Sequence, residues 1–346
     1  MSVYTKNLEL NTAYRQQREI CIRDNLIGVK NYIETHKKKK NYVILAIKYY
    51  KNHKNFIEVL RKEASLDLLR IFYIKQDKTG VLLYHDVLRK MILIELLGLK
   101  NYNFDEVLFT NYYSWFQNYL VSKSGAKKII LISDGTGIFD VVENRKITKK
   151  TPFKANKIFV DKILRLKPIE YLNIYSPVNL KTAPGDSLEI FRFKGLEARK
   201  VDQQKIYFVG SPLVELSYIS SEFNSEYFTK IRNFFKPKNI YYFAHRRESD
   251  ENLKNYHLFD EIIRDKVPFE TRLSTEKILP GIIISYLSSV LINLPEVYPN
   301  IQFIYLPLEN DQITKDEFIP KYKNLKSNFE NLKSKNFKAL THFNDE

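Results

Sequence analysis

The sequence predicts an α/β protein made of two domains, each with a parallel sheet covered by helices. Apolar, strand-like runs alternate with helical stretches through both halves of the chain, which is the pattern of a parallel sheet between layers of helices. A length of 346 residues is typical of two domains, and a hydrophobic content of 44% is enough for two cores. We therefore expect two nucleotide-fold domains facing a central cleft, with ligands at the carboxyl ends of the strands.

The first half, residues 1–155, is predicted to form one domain. It opens with a polar, helix-like stretch over residues 8–36. Strands are then expected at Tyr42–Ile47, Leu69–Ile74, Val81–Tyr84, Glu106–Thr110 and Lys128–Ser133. Helices are expected between them, at Asn55–Ser65, Val87–Leu97 and Tyr112–Lys123.

A linker is predicted over residues 156–185. The chain before it, residues 143–157, is polar and rich in lysine, and a helix-like stretch follows at Lys157–Arg165. Residues that break helices and strands then recur, at Pro168, Pro177, Pro184 and Gly185.

The second half, residues 186–320, is predicted to repeat the alternation of strands and helices. Strands are expected at Lys205–Val209, Ile240–Ala244, Phe269–Leu273, Gly281–Ile284 and Gln302–Leu306. Helices are expected at Pro212–Leu216, Ser225–Phe235, Leu253–Ile263 and Tyr286–Leu294. A basic helix is predicted after this domain, over residues 321–346.

The net charge of +16 predicts an anionic partner, such as a nucleotide, an acidic glycan, an anionic lipid or a nucleic acid. Residues 36–54 carry seven lysines and no acid, and residues 321–340 carry six lysines against Glu330 alone. Solvated basic faces would have the same composition. The single cysteine, Cys21, excludes an internal disulfide and a cysteine-based zinc site, and it fits a reducing compartment.

The C-terminal segment combines lysines with a periodic apolar pattern. Its apolar residues recur at spacings of three to five, at Tyr322, Leu325, Phe329, Leu332, Phe337 and Leu340. This pattern is typical of a basic amphipathic helix on an anionic bilayer. A terminal helix that packs its apolar stripe across both domains would show the same pattern. No signal peptide or membrane-spanning run is visible, since the longest apolar stretch, Ile278–Leu294, is short and contains Pro280.

Three short segments place polar side chains at the ends of predicted elements. They are Ile132-Ser133-Asp134-Gly135-Thr136, Tyr242-Phe243-Ala244-His245-Arg246-Arg247-Glu248 and Ser285-Tyr286-Leu287-Ser288-Ser289. In the first, Asp134 is either a turn former beside Gly135 or a general base within reach of an acceptor hydroxyl. Asp140 is a second carboxylate nearby.

The other two segments hold candidate phosphate ligands. His245 is either a structural histidine or an imidazolium that binds a phosphate beside Arg246 and Arg247, although these arginines would lower its pKa. Ser288 and Ser289 either cap the following helix or donate their hydroxyls to a phosphate at its start.

The spacing of these residues brings them to one edge of a sheet. His245, Glu270 and Ser288 are separated by 25 and then 18 residues, so successive strand–helix–strand units separate them. A carboxylate, an imidazole and a hydroxyl pair together indicate transfer of a sugar from a nucleotide. The chain has no Asp-x-Asp, Walker A, GxGxxG, HExxH or zinc-binding pattern, so we expect no metal ion and no other cofactor.

The three segments resemble the D/E-D/E-G, H-P and paired Ser-Ser/Thr motifs of two-domain bacterial sialyltransferases. The likeness is strongest to the lipooligosaccharide sialyltransferases (glycosyltransferase family 52), followed by the related capsular polysialyltransferases. It extends from about Asn41 to Pro307 and includes the strand and turn around Gly210. Ser133 stands at the first acidic position of its motif, and Arg246 stands in place of the proline.

The resemblance implies a GT-B fold with the acceptor bound by residues 1–155 and the donor by residues 186–320. It also implies inverting, metal-independent transfer of sialic acid from CMP-sialic acid to a lipooligosaccharide or capsule. Carried over, Asp134 is the base, and His245 is the phosphate-contacting catalyst. The donor ligands are Ser288 and Ser289 for the phosphate, Glu270 for the ribose hydroxyls, and Gly210.

The expected partners are a nucleotide-sugar donor and a glycan or glycolipid acceptor, with no nucleic acid. An anionic membrane surface and a second copy of the chain, giving a homodimer, are further candidates. The expected location is the cytoplasm, with peripheral attachment to the inner membrane left open. Two other functions also stay open: a glycosyltransferase of the same fold that uses another nucleotide sugar, and a non-catalytic, basic nucleic-acid-binding protein.

Overall fold

A computed structural model describes residues 28–29, 31–33, 35–36, 42–48, 68–74, 81–96, 98, 104–133, 135–148, 168–191, 199–265, 269–332, 334–341 and 343. The predicted helices Asn55–Ser65 and Lys157–Arg165 and the candidate base Asp134 lie outside the described residues. Of the helix-like stretch over residues 8–36, the residues that are described are helical.

The first half contains two parallel sheets. Its strands are β1 (Tyr42–Lys48), β2 (Leu68–Ile74), β3 (Glu106–Phe109), β4 (Lys128–Ile132), β5 (Asn173–Ser176) and β6 (Ser187–Ile190). Its helices are α1 (Val81–Leu96), α2 (Trp115–Ser124) and α3 (Gly137–Ile147). β1 pairs with β2, and the other four strands form a sheet in the order β3-β4-β5-β6.

The second half contains one six-stranded parallel sheet. Its strands are β7 (Lys200–Val209), β8 (Asn239–Phe243), β9 (Glu261–Ile263), β10 (Ile278–Ser285), β11 (Gln302–Tyr305) and β12 (Phe337–Ala339). Its helices are α4 (Ser221–Phe234), α5 (Asp250–Leu253), α6 (Phe269–Thr275), α7 (Val290–Asn293) and α8 (Ile319–Glu330), and two short 3₁₀ helices, Asn310–Gln312 and Asp316–Phe318, precede α8.

The strand order of this sheet, β12-β11-β10-β7-β8-β9, is that of a Rossmann fold, in which the chain starts at the centre and fills first one side and then the other. The order reverses between β7 and β10, and ligands bind at such a switch point beyond the carboxyl ends of the strands. The predicted α/β class, with parallel sheets in both halves of the chain as in a GT-B fold, is confirmed.

The two larger sheets share a hydrophobic core. One cluster of buried side chains includes Leu131 and Ile138 from the first half together with Val209, Phe243 and Val290 from the second. These residues lie at or just beyond the carboxyl ends of β4, β7, β8 and β10. The carboxyl edges of the two sheets therefore face each other in close contact.

A buried ion pair fixes α3, the helix that follows the turn after β4. The Arg145 guanidinium donates to both carboxylate oxygens of Asp186, at 2.5 and 2.6 Å, and neither side chain is exposed. Arg145 also donates to the hydroxyl of Tyr112 and the carbonyl of Ile169. A bidentate, fully hydrogen-bonded pair of this kind is costly to break from one side, so it holds α3 in register with the sheet.

Several predicted elements differ in type. Val81–Tyr84 and Phe269–Leu273 were expected as strands but lie in the helices α1 and α6, because short apolar runs do not distinguish the two. Leu253–Ile263 was expected as a helix, but α5 ends at Leu253 and the β-branched residues at its far end form β9. Pro212–Leu216 forms turns instead of a helix.

The chain changes sheet later than the predicted linker. β5 pairs with β4 and β6 pairs with β5, so the first sheet continues to Ile190 and the second begins at Lys200. Pro177, Pro184 and Gly185 lie in the loop that connects these two short strands. The division into domains remains a prediction, with the change of sheet between residues 190 and 200.

The C-terminal segment is part of the folded core. α8 ends at Glu330, so the helix predicted over residues 321–346 is shorter than expected, and Phe337 begins the edge strand β12. Tyr322, Leu325 and Phe329 are buried, and the Phe329 ring packs on Tyr305 at 4.9 Å. These three residues of the apolar stripe are therefore used for internal packing.

α8 also reaches the first half of the chain. Burial lowers the pKa of Lys321, and the nearby carboxylate of Asp140 in α3 opposes that shift. Packing across both halves, the second of the two interpretations of this segment, is the one that the structure supports. Binding of its lysines to an anionic surface remains a prediction.

We predict that Phe329→Ala destabilises the protein by about 3–5 kcal/mol, because it removes a fully buried aromatic ring and leaves a cavity between α8 and β11. Urea unfolding followed by circular dichroism measures this loss. Leu96→Ala is the matched control, since Leu96 is 76% exposed. Equal stability of the two variants would show that α8 does not pack as described.

Candidate active site at the carboxyl ends of the strands

The switch point between β7 and β10 organises the second-half side of the site. The hydroxyl of Ser285, the last residue of β10, donates to the carbonyl of Val209, the last residue of β7, at 2.7 Å. Ser285 is fully buried, so this bond joins the two strand ends in the core. The segments that leave β7, β8 and β10 start side by side, and they carry Gly210, His245 and the pair Ser288-Ser289.

His245 lies in a turn that follows β8, and its ring is oriented by the backbone. The Nδ1 atom accepts a hydrogen bond from the backbone N–H of Arg247 at 3.2 Å. The proton of the neutral ring is therefore on Nε2, which can donate to a ligand. Burial, with help from the charges of Arg246 and Arg247, lowers the pKa of His245 to about 3. The ring is therefore neutral at pH 7, and its contact with a phosphate remains a prediction.

Glu248 stabilises the turn that contains His245 through hydrogen bonds. Its carboxyl group accepts the backbone N–H of His245 and the hydroxyl of Tyr242, while its own N–H donates to the His245 carbonyl at 2.9 Å. Arg264 donates to the Glu248 carbonyl. Glu248 is only 2% exposed, and burial raises the pKa of its carboxyl to about 8 in spite of these hydrogen bonds. It is therefore largely protonated at neutral pH.

No role was assigned to Glu248 from the sequence, although it is the last residue of the segment that contains His245. The signal that could have found it is an acid three residues after a histidine at a strand exit, where its side chain can return to the N–H of the turn's first residue. Nothing in the sequence indicates that this acid is buried, because burial depends on Tyr242, Tyr256 and the β7 exit packing around it.

Gly210 leaves room for this buried carboxyl. A Cβ atom at position 210 would collide with the Glu248 carboxyl and lie 2.7 Å from the Tyr242 hydroxyl oxygen. The Gly210 N–H donates to the Phe243 carbonyl at 2.8 Å. Gly210 lies just beyond the end of β7, where the nucleotide-sugar donor is expected to bind. Its contact with that substrate remains a prediction. The packing of Glu248 and Tyr242 is by itself sufficient to explain a glycine at this position.

Ser288 and Ser289 follow β10 and precede α7. The helix predicted over Tyr286–Leu294 is reduced to four residues, Val290–Asn293. The Ser288 hydroxyl accepts from the N–H of Val290 at 3.3 Å, which leaves its own proton to donate elsewhere. Ser289 occupies the N-cap position without a side-chain capping bond. Simple capping therefore does not account for both hydroxyls.

Glu270 is the second residue of α6 instead of part of a strand. Phe269 before it packs edge-on against Phe243, the last residue of β8, with ring centres 5.0 Å apart. This contact brings the start of α6 to the carboxyl edge, near the exits of β7 and β8. Burial raises the pKa of Glu270. The ribose contact implied by the resemblance stays a prediction.

The first-half side of the site is the turn after β4. Ser133 follows this strand directly, and its hydroxyl is buried without a hydrogen-bond partner among the residues that the structure describes. Asp134 is outside the described residues. Gly135 has a φ of +77° and lies against Ser289, since an added Cβ would be 2.6 Å from the Cβ of that serine. The first and third predicted motifs therefore meet.

The sequence of the chain matches the model of one known protein family. The alpha-2,8-polysialyltransferase model matches residues 24–307. The chain belongs to the alpha-2,8-polysialyltransferase family. It is a glycosyltransferase, and membership in the family supports the sialyl transfer that the motifs predicted. Of the two related families named above, the matching model is that of the polysialyltransferases.

Two solved structures are similar to this polysialyltransferase-family chain. MurG from Acinetobacter baumannii shares 11% sequence identity over 91% of this chain and 81% of its own, with a TM-score of 0.43. An alpha/beta-galactoside alpha-2,3-sialyltransferase from the luminous marine bacterium Photobacterium phosphoreum shares 12% identity over 87% of this chain and 99% of its own, with a TM-score of 0.45. Among curated proteins no sequence matches the chain.

The described part of the chain has neither a membrane-spanning helix nor a cluster of metal-binding side chains. In the ranges given above, no helix has the length and apolar character needed to cross a membrane. Within the same residues, no cluster of three or more His, Cys, Asp or Glu side chains could hold a metal ion.

The contributions of Glu248 and His245 to the free energy of unfolding change in opposite directions as pH rises. The unfolded chain releases the Glu248 proton near pH 4.5 and the folded chain near pH 8, so this group's contribution to stability falls as pH rises through that range. His245 binds its proton near pH 6.5 when unfolded and near pH 3 when folded, so its contribution rises with pH up to about 6.5. Above pH 6.5, only Glu248 of these two changes stability.

We predict that wild-type protein loses about 2 kcal/mol of unfolding free energy between pH 6.5 and 8.5 through this carboxyl group. Glu248→Gln should abolish this loss, because the amide mimics the protonated acid: its oxygen accepts the His245 N–H and its NH2 group donates to the Tyr242 hydroxyl oxygen. Urea unfolding at the two pH values measures it, with the exposed Glu251→Gln as control. The same pH dependence in Glu248→Gln as in wild type would show that Glu248 is not the titrating group.

Proposed function

We propose that the protein transfers sialic acid from CMP-sialic acid to a hydroxyl group of a bacterial surface glycan, with inversion and without a metal ion. The observation that supports this most is the contact between the turn around Gly135 and the serine pair after β10, in a chain of the polysialyltransferase family. An acceptor-side turn and a candidate phosphate site are adjacent there, as glycosyl transfer from a nucleotide requires.

In this proposal the residues after β8 and β10 stabilise the departing CMP. The bond between the sugar and the phosphate oxygen breaks as an oxocarbenium-like centre forms, and negative charge develops on the phosphate. The Nε2–H of His245 and the hydroxyls of Ser288 and Ser289 donate to that phosphate. Arg246 and Arg247 supply positive charge, so a neutral histidine is sufficient. Glu270 binds the ribose hydroxyls, and Gly210 lines the donor site.

The acceptor hydroxyl loses its proton to a carboxylate on the other side of the cleft. Asp134 is the proposed base, since it is the acid directly before Gly135. Asp140, in the first turn of α3, is the second candidate. The acceptor is a lipooligosaccharide or a capsule, and the net charge of +16 favours an acidic capsular chain, which a basic protein attracts.

Thermal unfolding with added nucleotides tests the donor. CMP at 100 times its dissociation constant should stabilise the folded state by about 2.7 kcal/mol, while UDP and GDP should have no effect. His245→Ala should lower turnover with CMP-sialic acid by about 10²–10³-fold, because it removes one donor to the developing charge. Stabilisation by UDP or GDP in place of CMP would instead favour another nucleotide sugar. Unchanged turnover of His245→Ala would remove this residue from the mechanism.

Asp134→Asn tests the base separately from the donor. The amide keeps the size of the side chain but cannot take a proton, so transfer should be abolished while CMP still raises the melting temperature. Labelled sialic acid counted in the acceptor measures transfer. If Asp134→Asn remains active, the base lies elsewhere, and Asp140→Asn becomes the variant that should lose activity.

A further inference from the structure

The turn after β4 approaches the serine pair as closely as its backbone allows. A Cβ atom added to Gly135 would lie 2.6 Å from the Cβ atom of Ser289, 3.5 Å from its Oγ atom and 3.7 Å from its Cα atom. Carbon atoms in ordinary contact are about 3.5–4.0 Å apart. Any side chain at position 135 would therefore force the two segments about 1 Å further apart.

Ser289 is held by the shared core. The next three residues, Val290, Leu291 and Ile292, are 3%, 0% and 1% exposed and form part of the shared core. Ser289 also accepts backbone N–H groups from Ile292 and Asn293, at 3.0 and 2.9 Å. The turn after β4 is held by the same core, since Ile138 and Phe139 of α3 are 1% and 5% exposed. A side chain at position 135 would consequently widen the gap between the turn and the serine.

We propose that Gly135 is a positioning residue for glycosyl transfer, whose absent side chain allows the acceptor-side turn to close onto Ser289. The contact sets the distance between the acceptor hydroxyl and the donor phosphate. This inference rests on the proposed function, because it takes Ser289 as a phosphate ligand and the turn as part of the acceptor side. A displacement of 1 Å in such a geometry costs about 10²-fold in rate.

The chain provides a matched control for backbone strain. Gly135 and Gly125 both have a positive φ, +77° and +63°, a conformation that alanine adopts only with strain. A Cβ atom at Gly125, which ends α2, would meet no atom within 4 Å. Gly125→Ala therefore carries the strain alone, whereas Gly135→Ala carries both the strain and the contact with Ser289.

The expected result separates turnover from donor binding. Gly135→Ala should lower kcat by about 10²-fold and leave the affinity for CMP unchanged, because the proposed CMP ligands all lie in the second half of the chain and only their distance from the acceptor-side turn changes. Gly125→Ala should change neither quantity. If Gly135→Ala has the kcat of Gly125→Ala, or if it loses CMP affinity in proportion to kcat, the positioning role is overturned.

A second substitution tests the contact itself. Ser289→Gly removes the Cβ atom that an alanine at position 135 would meet. In the Ser289→Gly background, Gly135→Ala should therefore cause no further loss of kcat, and the two substitutions should be strongly non-additive. Equal losses in both backgrounds would overturn the proposal.

Two further outcomes are decisive. If Gly135→Ala alone does not fold, recovery of folding in the double variant, with the turnover of Ser289→Gly alone, supports the contact, and failure to recover overturns it. If the wild-type protein itself transfers no sialic acid, the proposed function fails and the role of Gly135 fails with it. An active wild type with an unaffected Gly135→Ala variant overturns only the role of Gly135.

Discussion

The carboxyl group of Glu248 joins the chain segments that leave β7 and β8. It binds the N–H of His245 and the hydroxyl of Tyr242, and the absence of a side chain at Gly210 leaves space for it. Burial keeps it protonated at neutral pH, so no charge is placed beside the proposed phosphate site. An ionised acid at this position would repel a phosphate, whereas a neutral one supports the turn without that cost.

The same environment determines the chemistry of His245. Burial and two neighbouring arginines keep the ring neutral, and the N–H of Arg247 selects the tautomer that donates from Nε2. The histidine thus acts as a fixed dipole, and the arginines carry the charge. This division of roles fits a leaving group that needs stabilisation at the moment its bond breaks.

The sequence was informative wherever a strand ended in a polar residue. His245 and the serine pair were placed correctly at strand exits, because parallel strands are apolar runs with an abrupt polar end. Element type was less predictable where an apolar run was short. Phe269–Leu273 became a helix because Phe269 and Leu273 lie on one helical face and Arg272 pairs with Glu276 one turn on, at 3.1 Å. The short strands β5, β6 and β12 were missed, since each depends on a neighbouring strand for its hydrogen bonds.

Long-range contacts could not be predicted from the sequence. Neither the pKa of Glu248 nor the approach of Gly135 to Ser289 follows from local pattern, since both depend on segments far apart in the chain. The apolar stripe of α8 illustrates the same limit, because its periodicity fits a bilayer and a protein core equally well. Its burial against Tyr305 decides between them.

The most direct measurement of the central claim follows both products of one reaction. The protein is incubated with CMP-sialic acid labelled in the sugar and with an oligosialic acid acceptor, and chain extension and CMP release are quantified together. The account predicts label in the extended acceptor with one CMP released for each sugar transferred. Release of CMP without labelled acceptor, or no consumption of CMP-sialic acid while a UDP-sugar or GDP-sugar is consumed, would contradict it.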